Sequence, residues 1–508
     1  MPFFMSKIFL MYRFILLFFF FPLSVFASEN KLPQISGVYQ FSFENIVLPG
    51  SEDLGLLGGN YLVENNNWYA GLGVYGAVSG DRGGFFIGGL HVGKTLALSS
   101  GYYLEGNAYL GGGGGGSAPQ GGGLMLRAAT GLGKQIADNR YFLGVSRVSF
   151  PNGDINSNQI SLAYSRKFSS LHFAGWGDSS AAYERWKNDL KGNKAVPQQA
   201  SLQILNYYPG ASVKGRDSRL HEKVLSVLGA RFSQKLGKLL WGEFETAGAM
   251  SGGIDGFAQV LGGLSLKQAF YKNISISGGW LLGAAGGGNV DTGGGVITRI
   301  YSGVELAFTQ RWSSKLDVGY ITALDGGFSA NTVNFNLAYR FDNISPERLF
   351  STSAKSRKII WRKLRIRPGA QRYTLYARNA RKFQGQKDFD VDLTNLKLDA
   401  FVSPKIFFTG QALGAFKGKA GGYAVGLIGP GVQFNQYIGA EFLAGVAGGG
   451  GIAVGSGKIV QPMLNLTLPY DNRWSTELSA GYVKAVDDKL SAFVFNLGLV
   501  YHFVQPYY

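Results

Sequence analysis

The sequence predicts an all-β chain, a transmembrane antiparallel β-barrel protein of about 24 strands in three eight-strand repeats. Three observations lead there. Segments alternate large apolar residues with small or polar ones. A long unit recurs three times. Beyond the first residues, no apolar run approaches the roughly 20 residues that a membrane helix needs. The alternation is clearest where each unit ends: Ile160–Phe168, Val333–Phe341 and Phe495–Phe503. Period 2 marks a strand with two unlike faces.

The start of the chain reads as a secretory signal peptide, residues 1–27. Lys7 and Arg13 precede an apolar run from Phe14 to Phe26, and Val25-Phe-Ala27 offers a small-residue cleavage site before Ser28. The run is too short to span a bilayer. The chain has no cysteine, which excludes a disulfide framework, a thiolate metal site and a lipid anchor on a cysteine.

The repeats are assigned as residues 28–168, 199–341 and 370–508, with linkers at 169–198 and 342–369. Arg311–Phe341 aligns with Arg473–Phe503 without a gap: Arg311-Trp-Ser313 matches Arg473-Trp-Ser475, and Asn334, Tyr339 and Phe341 recur as Asn496, Tyr501 and Phe503. A glycine run sits inside every copy, at Gly111–Gly116, Gly286–Gly288 and Gly448–Gly451. Each run is expected to be a flexible loop tip or a strand interior that lets a tight barrel curve.

Within the second copy, strands are expected near 200–208, 222–234, 238–250, 255–269, 272–284, 294–309, 312–324 and 330–342. Tight connections such as Gln234–Gly237, Tyr271–Asn273 and Thr309–Arg311 alternate with longer ones such as Gly210–Arg219 and Gly286–Gly295. That alternation fits a membrane barrel with short periplasmic turns. On the sixth strand Ile300, Val304 and Leu306 share one parity; Arg299 and Glu305 share the other. On the seventh, Leu316, Val318 and Tyr320 oppose Lys315 and Asp317. A charge on the lipid face at mid-membrane costs about 2–4 kcal/mol, so Arg299, Glu305, Lys315 and Asp317 are placed inside, pairing across the two neighbouring strands. Arg127 and Gln461 hold the place of Arg299, and Glu477 that of Lys315. Arginine is expected to be worse at 318 than at 317. Trp312 and Trp474 stand at strand starts, where an interfacial aromatic belt would put them.

The endings Leu337-Ala-Tyr339-Arg-Phe341 and Leu499-Val-Tyr501-His-Phe503 resemble the aromatic C-terminal assembly signal of Gram-negative outer-membrane β-barrel proteins. The unit resembles small eight-stranded barrels of the OmpA/OmpW type. The resemblance implies that Tyr339, Phe341, Tyr501 and Phe503 are assembly-signal aromatics and that the barrel assembly machinery is a partner. One departure is that the chain continues past Phe503 to Tyr508.

The formal charge of +17 is concentrated. Lys355, Arg357, Lys358, Arg362, Lys363, Arg365, Arg367, Arg372, Arg378, Arg381 and Lys382 crowd the junction of the second and third copies. The stretch reads either as a solvated linker or as an anion-attracting segment facing lipid A phosphates or acidic lipid. Outer-membrane lipid and lipopolysaccharide are the expected partners. No nucleic acid is expected, for want of any nucleic-acid fold signature.

Gly88-Gly-Leu-His-Val-Gly-Lys94-Thr95 matches the P-loop pattern in letters. A P-loop needs a helix after Lys-Thr to hold phosphate on its N-terminal amides, and Leu96–Gly101 reads as a strand end and turn. No nucleotide and no cofactor is expected, and Ile87, Gly89, His91 and Gly93 are placed on the lumen side. The four histidines, His91, His172, His221 and His502, share no repeated pattern with serine, and no His/Asp/Glu group has metal-ligand spacing. The expected function is therefore non-enzymatic, with an outer-membrane hydrolase as a remote alternative.

Two architectures remain open. Three tandem barrels would suit a structural, anchoring or surface-interaction protein. One wide 24-stranded barrel would suit a porin-like channel for small or anionic solutes. They differ in a pairing: tandem barrels put Leu202 beside Leu337, and a single barrel puts Leu337 near Tyr373.

Overall fold

The alternating segments become strands because neighbouring backbones satisfy one another's N–H and C=O groups while side chains sort to two faces. The computed structural model describes residues 33–48, 50–176, 190, 194–221, 223–345, 359–376, 380–382 and 390–507. The signal segment and the cations Lys355, Arg357, Lys358 and Arg378 lie outside the described residues, as do 177–189, 191–193 and 346–358 of the proposed linkers.

The described residues form 25 strands. The first set is β1 (Gln34–Ile46), β2 (Leu54–Asn65), β3 (Trp68–Ser79), β4 (Phe86–Ala97), β5 (Tyr102–Gly114), β6 (Leu124–Ile136), β7 (Asn139–Ser149) and β8 (Asn156–Leu171). A short β9 (Phe173–Ala174) follows. Next come β10 (Lys194–Pro209), β11 (Leu225–Lys235), β12 (Leu240–Ser251), β13 (Ala258–Tyr271), β14 (Ile274–Gly286), β15 (Val296–Ala307), β16 (Trp312–Ala323) and β17 (Ser329–Ser345). The last set is β18 (Ile360–Leu375), β19 (Asp390–Phe401), β20 (Ile406–Lys417), β21 (Ala424–Gln433), β22 (Ile438–Gly448), β23 (Lys458–Pro469), β24 (Trp474–Ala485) and β25 (Ser491–Tyr507). No helix among the described residues is long and apolar enough to cross a membrane.

All pairing is antiparallel. β1 returns onto β8, with Phe41 opposite Tyr164. β10 lies on β17 from Lys194–Ser345 to Pro209–Ala330, and Leu202 faces Leu337. β18 lies on β25 from Ile360–Tyr507 to Leu375–Ala492. Tyr373 stands opposite Val391 and Val494, away from Leu337. The expectation of three cleanly separate units needs one correction. Asn343 of β17 bridges Tyr507 of β25, and Phe173–Ala174 pairs with Val504–Phe503. The second set, the third set and the exit of the first thus share one hydrogen-bonded network.

All three sets enter and leave at the same end, where the connections are tight: 66–67, 137–138, 272–273 and 308–311. The other end carries the longer loops, including 115–123, 287–295 and 449–457. Outward-facing side chains form an apolar belt: Leu316 and Val318 are 54% and 55% exposed, whereas Lys315 and Asp317 between them are 7% and 1%.

Inside, each set is layered. Towards the loop end lies an apolar core: Tyr75, Ile87, Met125 and Val148 in the first, Val227, Phe257, Ile297 and Phe328 in the second, Leu393, Tyr423, Ile459 and Val494 in the third. Charged side chains fill the space below it.

Candidate functional site: filled lumens and a glycine junction

The charged layers are built by strands that are far apart in sequence. In the first set Arg127 of β6 binds Glu44 of β1, and its Nη atoms also donate to Asn107 at 2.6 Å and Ser161 at 3.0 Å. Glu105 accepts from the Tyr69 hydroxyl at 2.6 Å and from Asn107 at 3.0 Å. In the second set Arg299 binds Asp317 and reaches Glu245 at 3.1 Å, while Arg231 donates to Glu245 at 2.7 Å. Arg299 and Glu245 are fully buried. In the third set Arg367 gathers Asp399 at 2.7 Å, Glu441 at 2.5 Å and Glu477 at 2.8 Å, and Lys397 meets Glu441 at 3.0 Å. Paired, hydrogen-bonded charge is the form in which buried charge is tolerated.

The structure thus places Arg127, Arg299, Glu305, Lys315, Asp317 and Glu477 inside, each joined to other polar groups. Two expectations change. Glu305 stands opposite Lys315 in the ladder, yet its carboxylate takes Lys267 of β13 at 2.5 Å. Lys315 instead lies over the Tyr301 ring, 4.2 Å from its centroid. Arginine at 317 is also not the mild substitution, because Asp317 already faces both Arg299 and Arg231. Gln461, at the place of Arg299, bonds Gln371, Gln411 and Tyr373.

Sequence reasoning missed Glu44, Arg231, Glu245, Arg367, Asp399 and Glu441. Arg365 and Arg367 were counted with a stretch read as solvated linker or anion-attracting segment. They stand on β18, 2% and 1% exposed. Their parity with Gln371 and Tyr373 is the signal that could have found them.

The second lumen contains a cavity of about 20 Å³ lined by Arg231, Glu243, Lys267, Glu305 and Lys315. That is room for about one water.

The P-loop-like letters lie wholly within β4, with Ile87 and His91 buried inside. The structure does bring one serine to a histidine: Ser475 Oγ lies 2.9 Å from His502 Nε2. Both are buried, no group among the described residues bonds His502 Nδ1, and Trp176 packs 4.3 Å from the imidazole. A catalytic pair needs an orienting partner and access for substrate, and the described residues supply neither. Among the described residues no three His, Asp or Glu side chains are grouped to hold a metal.

The ending aromatics sit where sets meet. The Tyr339 hydroxyl accepts from Arg311 at 3.2 Å and from Arg362 at 2.9 Å, and Arg362 also donates to Tyr507 at 2.7 Å. Phe341 stacks on Tyr339 and meets Tyr507 edge-on. Tyr501 and Phe503 stack on His172. Trp176 Nε1 donates to the carbonyls of Leu364 and Phe503 at 3.0 and 3.2 Å.

The glycine runs have a use the sequence did not suggest. At the loop end they are contact surfaces between sets. Gly84 lies on Gly286–Gly287, Gly256 on Gly448–Gly449, and Gly422 on Gly114–Gly115. A Cβ on any of the first-named three would fall 3.0 Å or less from backbone of the facing run. Their φ values are +89°, +91° and +88°, so glycine is also the residue the backbone favours. Gly83 N–H donates to Gly293 O at 2.9 Å, and Gly422 N–H to Gly113 O at 3.0 Å. The contacts run from first set to second, second to third, and third back to first. Arg216–Asp81 at 2.6 Å and Lys382–Asp255 reinforce two of the three junctions.

No protein-family profile matches the chain, and no curated protein matches it. Solved structures do. OccK2 (OpdF) of Pseudomonas aeruginosa is 11% identical, over 93% of this chain and 97% of that one, with a TM-score of 0.23. A point mutant of the ferric enterobactin receptor PfeA of the same organism is 8% identical over 94% and 81%, at 0.26. The siderophore receptor PirA of Acinetobacter baumannii is 8% identical over 94% and 81%, at 0.27.

Proposed function

We propose that this is an integral outer-membrane protein of three eight-stranded barrels held side by side, with a structural, anchoring or surface-interaction role. Its place is the outer membrane: antiparallel barrels with an apolar outer belt and a secretory start are the β-structures that span that bilayer. The tight turns then face the periplasm and the glycine junction faces outward. Each set also resembles the OmpA/OmpW type in strand number, and the ending aromatics act as assembly signals read by the barrel assembly machinery. Lipid and lipopolysaccharide contact the belt.

The observation that carries a non-conducting role is the filled lumen. Arg299, Asp317 and Glu245 are fully or almost fully buried and mutually paired, and an apolar layer lies above them. An ion has no continuous aqueous path through such a section. The second reading is a porin-like channel, favoured by the polar character of the lower lumens.

Planar-bilayer recording of the purified full chain separates the two. The filled-lumen reading expects no steady stepwise conductance in molar KCl. Large, regular steps that persist after repurification sink it and establish the channel.

A further inference from the structure

The third set has a wall unlike the other two. Away from the strand ends, where Pro469 and Pro506 lie, three prolines stand inside its strands: Pro368 in β18, Pro430 in β21 and Pro462 in β23. Each coincides with a break in one ladder. Between β21 and β22 the pairing jumps from Ile428–Ala444 to Gly431–Glu441. Between β23 and β24 it jumps from Val460–Lys484 to Met463–Gly481. Between β18 and β25 it jumps from Ile366–Tyr501 to Gly369–Gly498. The corresponding ladders of the second set are unbroken here; its residues at these positions are Leu202, Leu264 and Ile300. Proline has no N–H, so a neighbouring carbonyl loses its donor. In hydrocarbon that loss cannot be made good by water.

Two of the breaks open into one groove. A cavity of about 890 Å³ runs along the outer face of the third set, over both Pro430 and Pro462. Its floor includes the small residues Ala440 and Ala480, and its sides include Phe442 and Phe493. Phe442 and Phe493 are half exposed and belong to the apolar belt. Glu441 and Met463, whose side chains are buried, also line it.

We propose that this groove is a seat for one long acyl chain of a membrane lipid, held in place rather than exchanging as bulk lipid does. The proposal rests on the outer-membrane reading above. Position in the belt selects the occupant, because hydrocarbon chains are what surrounds that face. Shape makes it a seat: two proline-broken seams and two alanines form a trough that the second set fills with Leu264 and Ile300. A rigid, unbroken strand surface offers an acyl chain only transient contact, whereas a trough over softened seams contacts it on several sides.

The test uses the full chain in vesicles of phosphatidylethanolamine carrying a photoreactive diazirine in one acyl chain. After illumination, adducts are mapped by peptide mass spectrometry. Peptides containing 430–442 and 462–482 are expected to take several-fold more label than the matched 264–280 and 300–320 of the second set. The double variant Pro430→Leu/Pro462→Ile should bring the third set down to the level of the second. Ala440→Trp, which blocks the trough without touching a ladder, should do the same. Equal labelling of the two sets in the unaltered protein overturns the seat while leaving the membrane reading intact, as does cross-linking of the groove to a second copy of the chain. Absence of label from both sets removes the membrane reading itself.

Discussion

Val318 and Asp317 are neighbours on β16 that meet opposite surroundings. Val318 points outward into the belt, and Asp317 points in, between Arg299 and Arg231. Val318→Arg places a charge in hydrocarbon and should cost about 2–4 kcal/mol. Asp317→Asn leaves two buried guanidinium groups short of an anion and should cost about 3–5 kcal/mol. Urea unfolding in lipid vesicles measures both, and a cost at either position no larger than the roughly 0.5 kcal/mol of an ordinary surface substitution would show that the facing is wrong. His172 supplies a pH test just beyond the end of β8. Burial lowers its imidazole to about 4 from the ordinary 6.5, and its Nε2 lies 2.6 Å from the Tyr501 hydroxyl. Undocked, the ring takes up a proton near its ordinary pKa, so the undocked state binds more protons between about 6.5 and 4. Docking of the segment 172–176 is therefore complete above that window and weakens as pH falls through it. Hydrogen-exchange protection at Gly175, taken relative to the intrinsic rate at each pH, should fall on acidification, since its N–H donates to His502 O at 2.8 Å. His172→Phe should weaken that dependence, leaving the share of His502, a second buried imidazole against which Trp176 packs.

At the scale of the element, period 2 made the strands of the second copy legible to within a few residues, because lipid on one side and packed charge on the other punish any slip of register. The parity of Arg299, Glu305, Lys315 and Asp317 was readable for the same reason. Their partners were not. Glu44 and Arg127 are brought together by closure of a barrel, and no local pattern encodes which cation crosses a lumen to which anion. Pro430 and Pro462 played no part in the sequence reading, and the ladder alone shows whose donor is missing. The glycine runs do stand at strand ends and in loops, but their part between sets was not legible, because positive φ also calls for glycine and only a neighbouring set shows what a side chain would strike. Gly84→Val, Gly256→Val and Gly422→Val should each cost at least about 1–2 kcal/mol from the positive φ alone. The steric clash adds to that, and only the clash acts between sets. Loosened junctions should therefore appear as faster proteolysis of the chain between sets while the strands themselves stay protected. Strand protection lost together with the junction would place these glycines in barrel closure rather than in docking.

The whole molecule turns on which strands close on which. Membrane strands leave no edge unpaired, since lipid offers no donor or acceptor. With its neighbour β16 on one side, β17 must take either β10 or β18 on the other. The ladder takes β10, over the whole length of both strands, and β17 touches β25 only at Asn343–Tyr507. The glycine contacts then relate the sets in a ring of like interfaces, first on second, second on third, third on first, as a cyclic trimer relates its subunits. Since the chain has no cysteine, the closure can be tested by paired substitutions. Leu202→Cys with Leu337→Cys joins residues directly opposite in the ladder. This pair should form a disulfide under mild oxidation and leave the protein assembled. Leu337→Cys with Tyr373→Cys should not. Non-reducing electrophoresis separates the outcomes through the changed mobility of a looped chain. A bond between 337 and 373 with none between 202 and 337 would reverse the closure, join the second set to the third around a wider lumen, and move the functional reading to a channel.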